Sequence, residues 1–376
     1  MKNDFFCPNP ACPTHKEPFP PAGWYSPNGC YPTKAFGLVQ RYKCKHCHRG
    51  FSLQTLSIDY FAKKQIDYQW ILNMVSSCVN NRAIGRNLGV SHQCVANRIN
   101  RLARQCIAFH TDKIADISLL ENFAADGFES YCTSQFFPNN INLLVGEKSQ
   151  FVYFFNYVLL RRKGRMTEKQ KVKREELETK VTYPPKGLEK GFGEVLDTVE
   201  EFMGKRKISP VILQTDEKPD YRRAIQSHSV LQMEKSGDFV HKTTSSQAAR
   251  DKKNPLFPVN YMDRQIRKDQ SNHVRETVCF SRNVCNMLNR MMVYLHWHNY
   301  QKPYRIDKKE ESKYQHAETA GLNRVEYEEE KKHLLKRRRF LGFSKQIKGF
   351  WETLWKRMIV TPLKGADEYL PVYALV

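Results

Sequence analysis

The spacing of apolar residues changes several times along the 376-residue chain, and each change predicts a different kind of element. Residues 57–112 carry apolar side chains at helical intervals with few Gly or Pro, which predicts packed helices. From Leu119 to Leu160 the pattern becomes strand-like: Phe123-Ala-Ala-Asp-Gly-Phe-Glu-Ser-Tyr131 alternates, and Phe151-Val-Tyr-Phe-Phe-Asn-Tyr-Val-Leu-Leu160 is a nearly unbroken apolar run. Residues 161–180 have helix-forming composition but no apolar stripe, so a solvated helical insertion is expected there. A helix over 188–204 and a short buried strand over 210–215 follow. After a polar loop, residues 261–300 read as helix, with Val284, Met287, Leu288, Met291, Met292 and Leu295 at core spacing. Beyond Pro303 the chain is highly charged, including Lys336-Arg-Arg-Arg339, and then presents the aromatic segment Phe350-Trp-Glu-Thr-Leu-Trp355.

Residues 1–55 stand apart, rich in Cys, Pro, Gly and aromatics and too poor in apolar side chains to build a core unaided. Cys7-Pro-Asn-Pro-Ala-Cys12 and Cys44-Lys-His-Cys47 are two cysteine pairs at knuckle spacing. Four thiolates can close a tetrahedral shell around Zn²⁺, and a shell with no open position is structural, not catalytic. Cys30, His15, His46 and His48 are alternative ligands, His48 being better suited to a turn. The blander reading is a chance cluster of free thiols. Arg41-Tyr-Lys-Cys-Lys-His-Cys-His-Arg-Gly-Phe-Ser52 favours the metal, because it has the form of a hairpin around a zinc knuckle.

Asn81-Arg-Ala-Ile-Gly-Arg-Asn-Leu-Gly-Val-Ser-His-Gln-Cys-Val-Ala-Asn-Arg-Ile-Asn-Arg-Leu102 has the grammar of a helix-turn-helix. Ala83, Ile84 and Leu88 pack the first helix, Gly89 permits the turn, and Ser91 caps a second helix with Val95 and Ile99 inward. The outward positions are then His92, Gln93, Asn97, Arg98 and Arg101, available to a major groove. An ordinary helical hairpin would share most of this pattern. Charge separates the two: 61 Lys+Arg against 39 Asp+Glu leaves +22, a surplus that suits a polyanionic partner and makes a small neutral metabolite an unsuitable main ligand. No run of 18 apolar residues exists to span a membrane, and Met1-Lys2-Asn3-Asp4 opens no apolar leader, so a cytoplasmic protein with reduced cysteines is expected.

Two carboxylates fall at strand ends, Asp126 in the alternating segment and Asp216 after Val211-Ile-Leu-Gln-Thr215. Two strands and a helix separate them, the order in which an RNase H-like sheet brings distant acids together. Such a pair can hold two Mg²⁺ or Mn²⁺ ions. With the ribbon and helix-turn-helix, the chain resembles a bacterial insertion-sequence DDE-type transposase. Val259-Asn-Tyr-Met-Asp-Arg-Gln-Ile-Arg267, Arg275-Glu-Thr-Val-Cys-Phe-Ser-Arg282 and His298-Asn-Tyr300 are similar to the end of that family's catalytic domain. The resemblance covers roughly residues 5–305.

The resemblance implies an α+β multidomain chain: zinc ribbon (1–56), helix-turn-helix (57–112), RNase H-like mixed α/β catalytic domain (118–305, insertion about 161–180) and basic C-terminal region (306–376). It implies Asp126 and Asp216 as the first two family acids, with Tyr221 a turn past the second. The third position falls on Asn260, with Asp263 one helical turn away, expected to pair with Arg267, and Glu276 as a further candidate. Arg264, Arg267 and Arg275 would face the scissile phosphate or the DNA end. The expected activity is metal-dependent strand cleavage and strand transfer at the ends of a mobile element. The partners are double-stranded DNA and a second copy of the chain, in a nucleoid-associated setting. A decayed, zinc-containing DNA-binding protein is the alternative. His296-Trp-His298-Asn299 offers a weaker one, a histidine-metal nuclease.

Overall fold

Too few aliphatic residues near the N-terminus leave aromatic rings to make the first core. The computed structural model describes residues 5–17, 20–274, 279–305 and 308–366. A short helix α1 (Pro13–Lys16) follows Cys12, and strands β1 (Tyr25–Thr33), β2 (Gly37–Cys44) and β3 (Gly50–Ser52) form an antiparallel sheet. Trp24 stacks on Phe51 at 5.5 Å, and Phe5 packs edge-on to Tyr25 and Tyr42. Phe340 and Phe343, from far down the chain, close this cluster against Phe6.

Three helices follow, α2 (Tyr68–Ser76), α3 (Asn81–Leu88) and α4 (His92–Ala115). Asn80 caps α3 by accepting from the Ala83 amide at 2.9 Å, and Ser91 caps α4 by accepting from Cys94 at 3.2 Å. Gly89 lies in the left-handed region at φ 61°, where a side chain would be strained. A Cβ on Gly85 would stand 2.7 Å from the Val90 carbonyl oxygen, so α3 can approach the turn this closely only with glycine there. The 24 residues of α4 carry it out of this tri-helical unit into the main core.

Strands β4 (Phe123–Tyr131), β5 (Pro138–Gly146), β6 (Val152–Phe155) and β7 (Val158–Leu159) come next. Helix α5 (Glu168–Glu178) buries no side chain, as expected of an insertion without an apolar stripe. Helix α6 (Gly187–Met203), strand β8 (Val211–Thr215), helices α7 (Pro219–Ser227) and α8 (Val230–Lys235), and strand β9 (Phe239–Thr243) complete the sheet. Its order is β6-β5-β4-β8-β9, with β7 against β5. β5 runs antiparallel to both neighbours, whereas β4–β8 and β8–β9 are parallel. The chain is thus an α+β protein with a mixed six-strand sheet of the kind found in RNase H-like folds.

The helix expected across 261–300 is two helices, α9 (Phe257–Asp269) and α10 (Val284–Tyr300). The first stops because Gln270 leaves helical geometry (φ −136°, ψ 85°) and turns its amide to the Val75 carbonyl at 2.7 Å. Asn283 starts the second by capping Asn286 at 2.8 Å. α10 packs along α4 in one buried cluster that runs from Ile58 to Trp355.

The segment read as a basic C-terminal region folds back on this core through α11 (His316–Thr319), α12 (Arg324–Leu334) and α13 (Phe350–Trp355). Arg338 is buried between the Tyr60 and Phe340 rings, 3.8 and 4.4 Å from their centroids, so the basic run 336–339 is partly built into the fold, with Lys336 and Arg337 exposed. No helix among the described residues is long and apolar enough to cross a membrane.

Candidate functional site

The β4–β8 register places the two acids side by side; Asp216 directly follows β8 as expected, whereas Asp126 lies inside β4 and not at its end. Phe123 pairs with Leu213 and Ala124 with Gln214, so two residues further on Asp126 stands opposite Asp216. The pair is held from three directions. Asp126 Oδ1 accepts from its neighbour's amide, Gly127 N, at 2.7 Å and from the Tyr221 hydroxyl at 3.3 Å. Asp216 Oδ1 accepts from Lys218 N at 3.1 Å, which fixes the start of α7 just ahead of Pro219. Tyr221 is kept in place by stacking on Phe192 at 4.0 Å.

Between the carboxylates lies the Lys218 ammonium, 3.3 Å from Asp126 Oδ1 and 3.8 Å from Asp216 Oδ2. Burial works against its charge, but Asp126 and Asp216 outweigh burial and hold Lys218 above the usual lysine range. Burial and the nearby Asp126 charge raise Asp216. The sequence reading missed Lys218. Its signal is the Asp216-Glu-Lys-Pro219 turn, in which proline at the first helical position fixes a lysine two residues past the acid.

α9 brings a third carboxylate from the side. Asp263 is buried, and burial together with Asp126 pushes its carboxyl up to about 8. Its Oδ1 has no hydrogen-bond partner among the described residues. The expected ion pair with Arg267 is not formed: Arg267 lies over the Phe128 ring at 5.5 Å and acts on Asp263 only at longer range. Asn260 is half-buried, and among the described residues its side chain makes no hydrogen bond. Arg264 is exposed; Arg275 and Glu276 lie outside the described residues. Asp126, Asp216 and Asp263 thus lie on neighbouring elements, one with an orphaned buried oxygen, but their carboxylate oxygens are not all within 4.8 Å of one another as the four cysteine sulfurs are.

The four cysteines form a second cluster. Cys7 and Cys47 sulfurs are 3.5 Å apart, Cys12 and Cys44 sulfurs 3.8 Å, and all four ligand atoms lie within 4.8 Å of one another. A Zn–S bond of ~2.3 Å at tetrahedral angles requires S···S of about 3.8 Å, so the cluster fits a structural Zn²⁺. Burial raises the Cys7 thiol, whereas hydrogen bonds at Asn9 and Arg49 overcome burial at Cys47 and bring it to about 7. None of the alternative ligands joins them in the cluster. His15 bonds the Cys7 carbonyl through Nδ1 at 2.7 Å, Cys30 bonds Gln40, and His48 takes a left-handed turn at φ 58°.

The outward face of α4 needs correction. His92, Gln93 and Asn97 are exposed, with Gln93 bonded to Asn97 at 3.1 Å. Arg98 points inward: it is 4% exposed and donates to Asp59, Tyr68 and the Lys64 carbonyl. Arg101 donates to the Ile58 and Tyr60 carbonyls and stacks over Tyr60 at 4.1 Å. Both guanidiniums donate to carbonyls of the irregular link 57–67. Exposed cations around the turn come instead from α3, at Arg82 and Arg86, which line an open cleft with Lys64 and His92.

Two histidine groups are structural. His298 bonds the Gln150 carbonyl at 3.0 Å and stacks on His316 at 3.9 Å, while burial pulls His296 down to about 3. Asp197, Glu200 and His228 also converge. His228 Nδ1 accepts from the Val230 amide at 3.1 Å, leaving the proton on Nε2 for Asp197 at 3.0 Å and no lone pair for a metal. No family model matches this chain, and no curated protein matches it.

Proposed function

We propose that this protein is a DNA transposase: a metal-dependent enzyme that binds the ends of a mobile element and cuts and joins strands. The observation that carries the reading is the acid site, where Asp126 and Asp216 face each other across parallel strands and Asp263 closes in from α9. The net charge of +22 supports a polyanionic substrate, and α4 offers a groove-reading face. Asp126, Asp216 and Asp263 would hold Mg²⁺ or Mn²⁺, which when bound supplies Lewis-acid activation of a phosphodiester and of the attacking oxygen.

The protein's own groups do the positioning. Tyr221 orients Asp126, the Lys218 amide orients Asp216, and Arg264 offers exposed positive charge to the backbone. The four-cysteine cluster, with zinc bound, holds the first domain in shape. Two element ends require two copies of the chain. Asp263 takes the third position instead of Asn260, because a carboxylate whose oxygen lacks a partner gains most from a cation. A non-catalytic DNA-binding protein is the second reading, favoured by the lysine lodged between the acids. Nicking of supercoiled DNA with Mg²⁺ or Mn²⁺, abolished in Asp216→Ala, would support the enzyme; metal-independent binding without nicking would support the second reading.

A further inference from the structure

We infer that Lys218 is a built-in counter-cation of the acid site, which a divalent ion displaces and which then serves the DNA phosphate. The inference rests on the proposed metal site and goes beyond it, because it makes metal loading and DNA binding cooperative.

The geometry is that of a guest seated among donors. Lys218 Nζ is within 4 Å of four oxygens: Asp126 Oδ1 at 3.3 Å, Asp216 Oδ2 at 3.8 Å, the Tyr221 hydroxyl at 3.3 Å and the Gly127 carbonyl at 3.4 Å. Two belong to the acids themselves and two to groups that also fix Asp126, so the ammonium stands where the carboxylates point. A lysine ammonium and a divalent ion bound by the same two carboxylates repel each other, so only one can be seated.

Displacement is available because the backbone and the head group are held separately. The Lys218 amide stays bonded to Asp216 and Pro219 stiffens the helix start, while four methylenes carry the charge. The side chain is one-third exposed, at 33%, so the ammonium can leave on the solvent side. A DNA phosphate approaching on that exposed side receives the expelled ammonium as a charge-assisted partner. Metal and phosphate therefore both favour the lysine's outward position. Two ligands that favour one state bind with positive coupling, and the coupling is reciprocal.

The test measures binding, not turnover. Mn²⁺ affinity is followed by electron paramagnetic resonance on the full chain, as wild type, Lys218→Met and Lys218→Arg, each with and without a short DNA duplex. Without DNA, Lys218→Met binds Mn²⁺ at least about tenfold more tightly than wild type, and Lys218→Arg binds as weakly as wild type. The duplex tightens Mn²⁺ binding in wild type but adds little in Lys218→Met. Equal or weaker binding in Lys218→Met, or tightening of the same size in Lys218→Arg, overturns the counter-cation while leaving the metal site standing. Absence of Mn²⁺ binding in all three, each showing native circular dichroism, overturns the metal site and this inference together.

Discussion

Asp263 shows most clearly what burial does to a single group. Its carboxyl titrates at about 8 against an ordinary 3.8, because it is buried and faces Asp126. A carboxyl whose folded value is raised keeps its proton in the folded chain longer than in the unfolded one. The folded state is thus favoured most below about pH 4, and that advantage is lost as pH climbs from there towards 8. Each unit corresponds to ~1.4 kcal/mol, which bounds the loss at about 6 kcal/mol. Denaturant titrations in a chelator should show metal-free wild type losing stability across this window relative to Asp263→Asn. Parallel pH profiles would show that Asp263 is not held neutral by the fold. The same residue separates the two candidates for the third position: Asp263→Asn should lose strand cleavage, while Asn260→Ala should keep most of it. The reverse outcome returns the role to Asn260.

At the scale of elements, α4 carries two tasks on its two sides. Arg98 is buried and pairs with the half-buried Asp59 at 2.9 Å, and it also bonds Tyr68 at 2.9 Å. Removing one partner of such a pair strands the other, so Arg98→Met should lower unfolding stability by about 3 kcal/mol. The variant's remaining folded fraction should bind DNA with unchanged sequence preference. Ala at His92, Gln93 and Asn97 should leave stability within about 0.5 kcal/mol and relax base discrimination by ~1–3 kcal/mol per specific contact. Fluorescence unfolding and competition binding distinguish them; loss of preference in Arg98→Met at full stability would restore it as a reader.

The same helix shows where the sequence was legible. Gly89, Ser91, Val95 and Ile99 follow local turn, cap and period rules, and the structure uses each as those rules require. Arg98 and Arg101 obey no local rule. Their partners at 58–68 are at least 30 residues away, so helical spacing alone placed them outward. β9 was illegible for a related reason: Phe239-Val-His-Lys-Thr243 is short and half polar, and only its ladder with β8 makes it a strand. Lys218 reaches Asp126 only through a tertiary contact, and Asp263 was legible only as a residue one helical turn from Asn260, while Asp126, inside β4, and Asp216, just after β8, could be found because both strands are readable.

Over the whole molecule, the four-cysteine cluster and the C-terminal segment form one mechanical unit. Phe340 and Phe343 pack on Phe6 and His15, and Gln105 of α4 holds the Leu334 carbonyl at 2.9 Å and the Arg339 amide at 2.7 Å. Losing a structural zinc should therefore expose both the first domain and residues 335–345. Metal analysis should give about one zinc per chain, and Cys44→Ser/Cys47→Ser should lose it. Hydrogen exchange should then rise in both segments; a rise confined to residues 5–56 would mean they are not coupled. The central claim, that the acids perform metal-dependent chemistry on DNA, is tested most directly by nicking of supercoiled plasmid. Wild type with Mn²⁺ should convert it to open-circular form, and Asp126→Asn, folded and DNA-binding, should leave it intact. Equal nicking by both proteins, or none by wild type that binds DNA and Mn²⁺, would contradict the account.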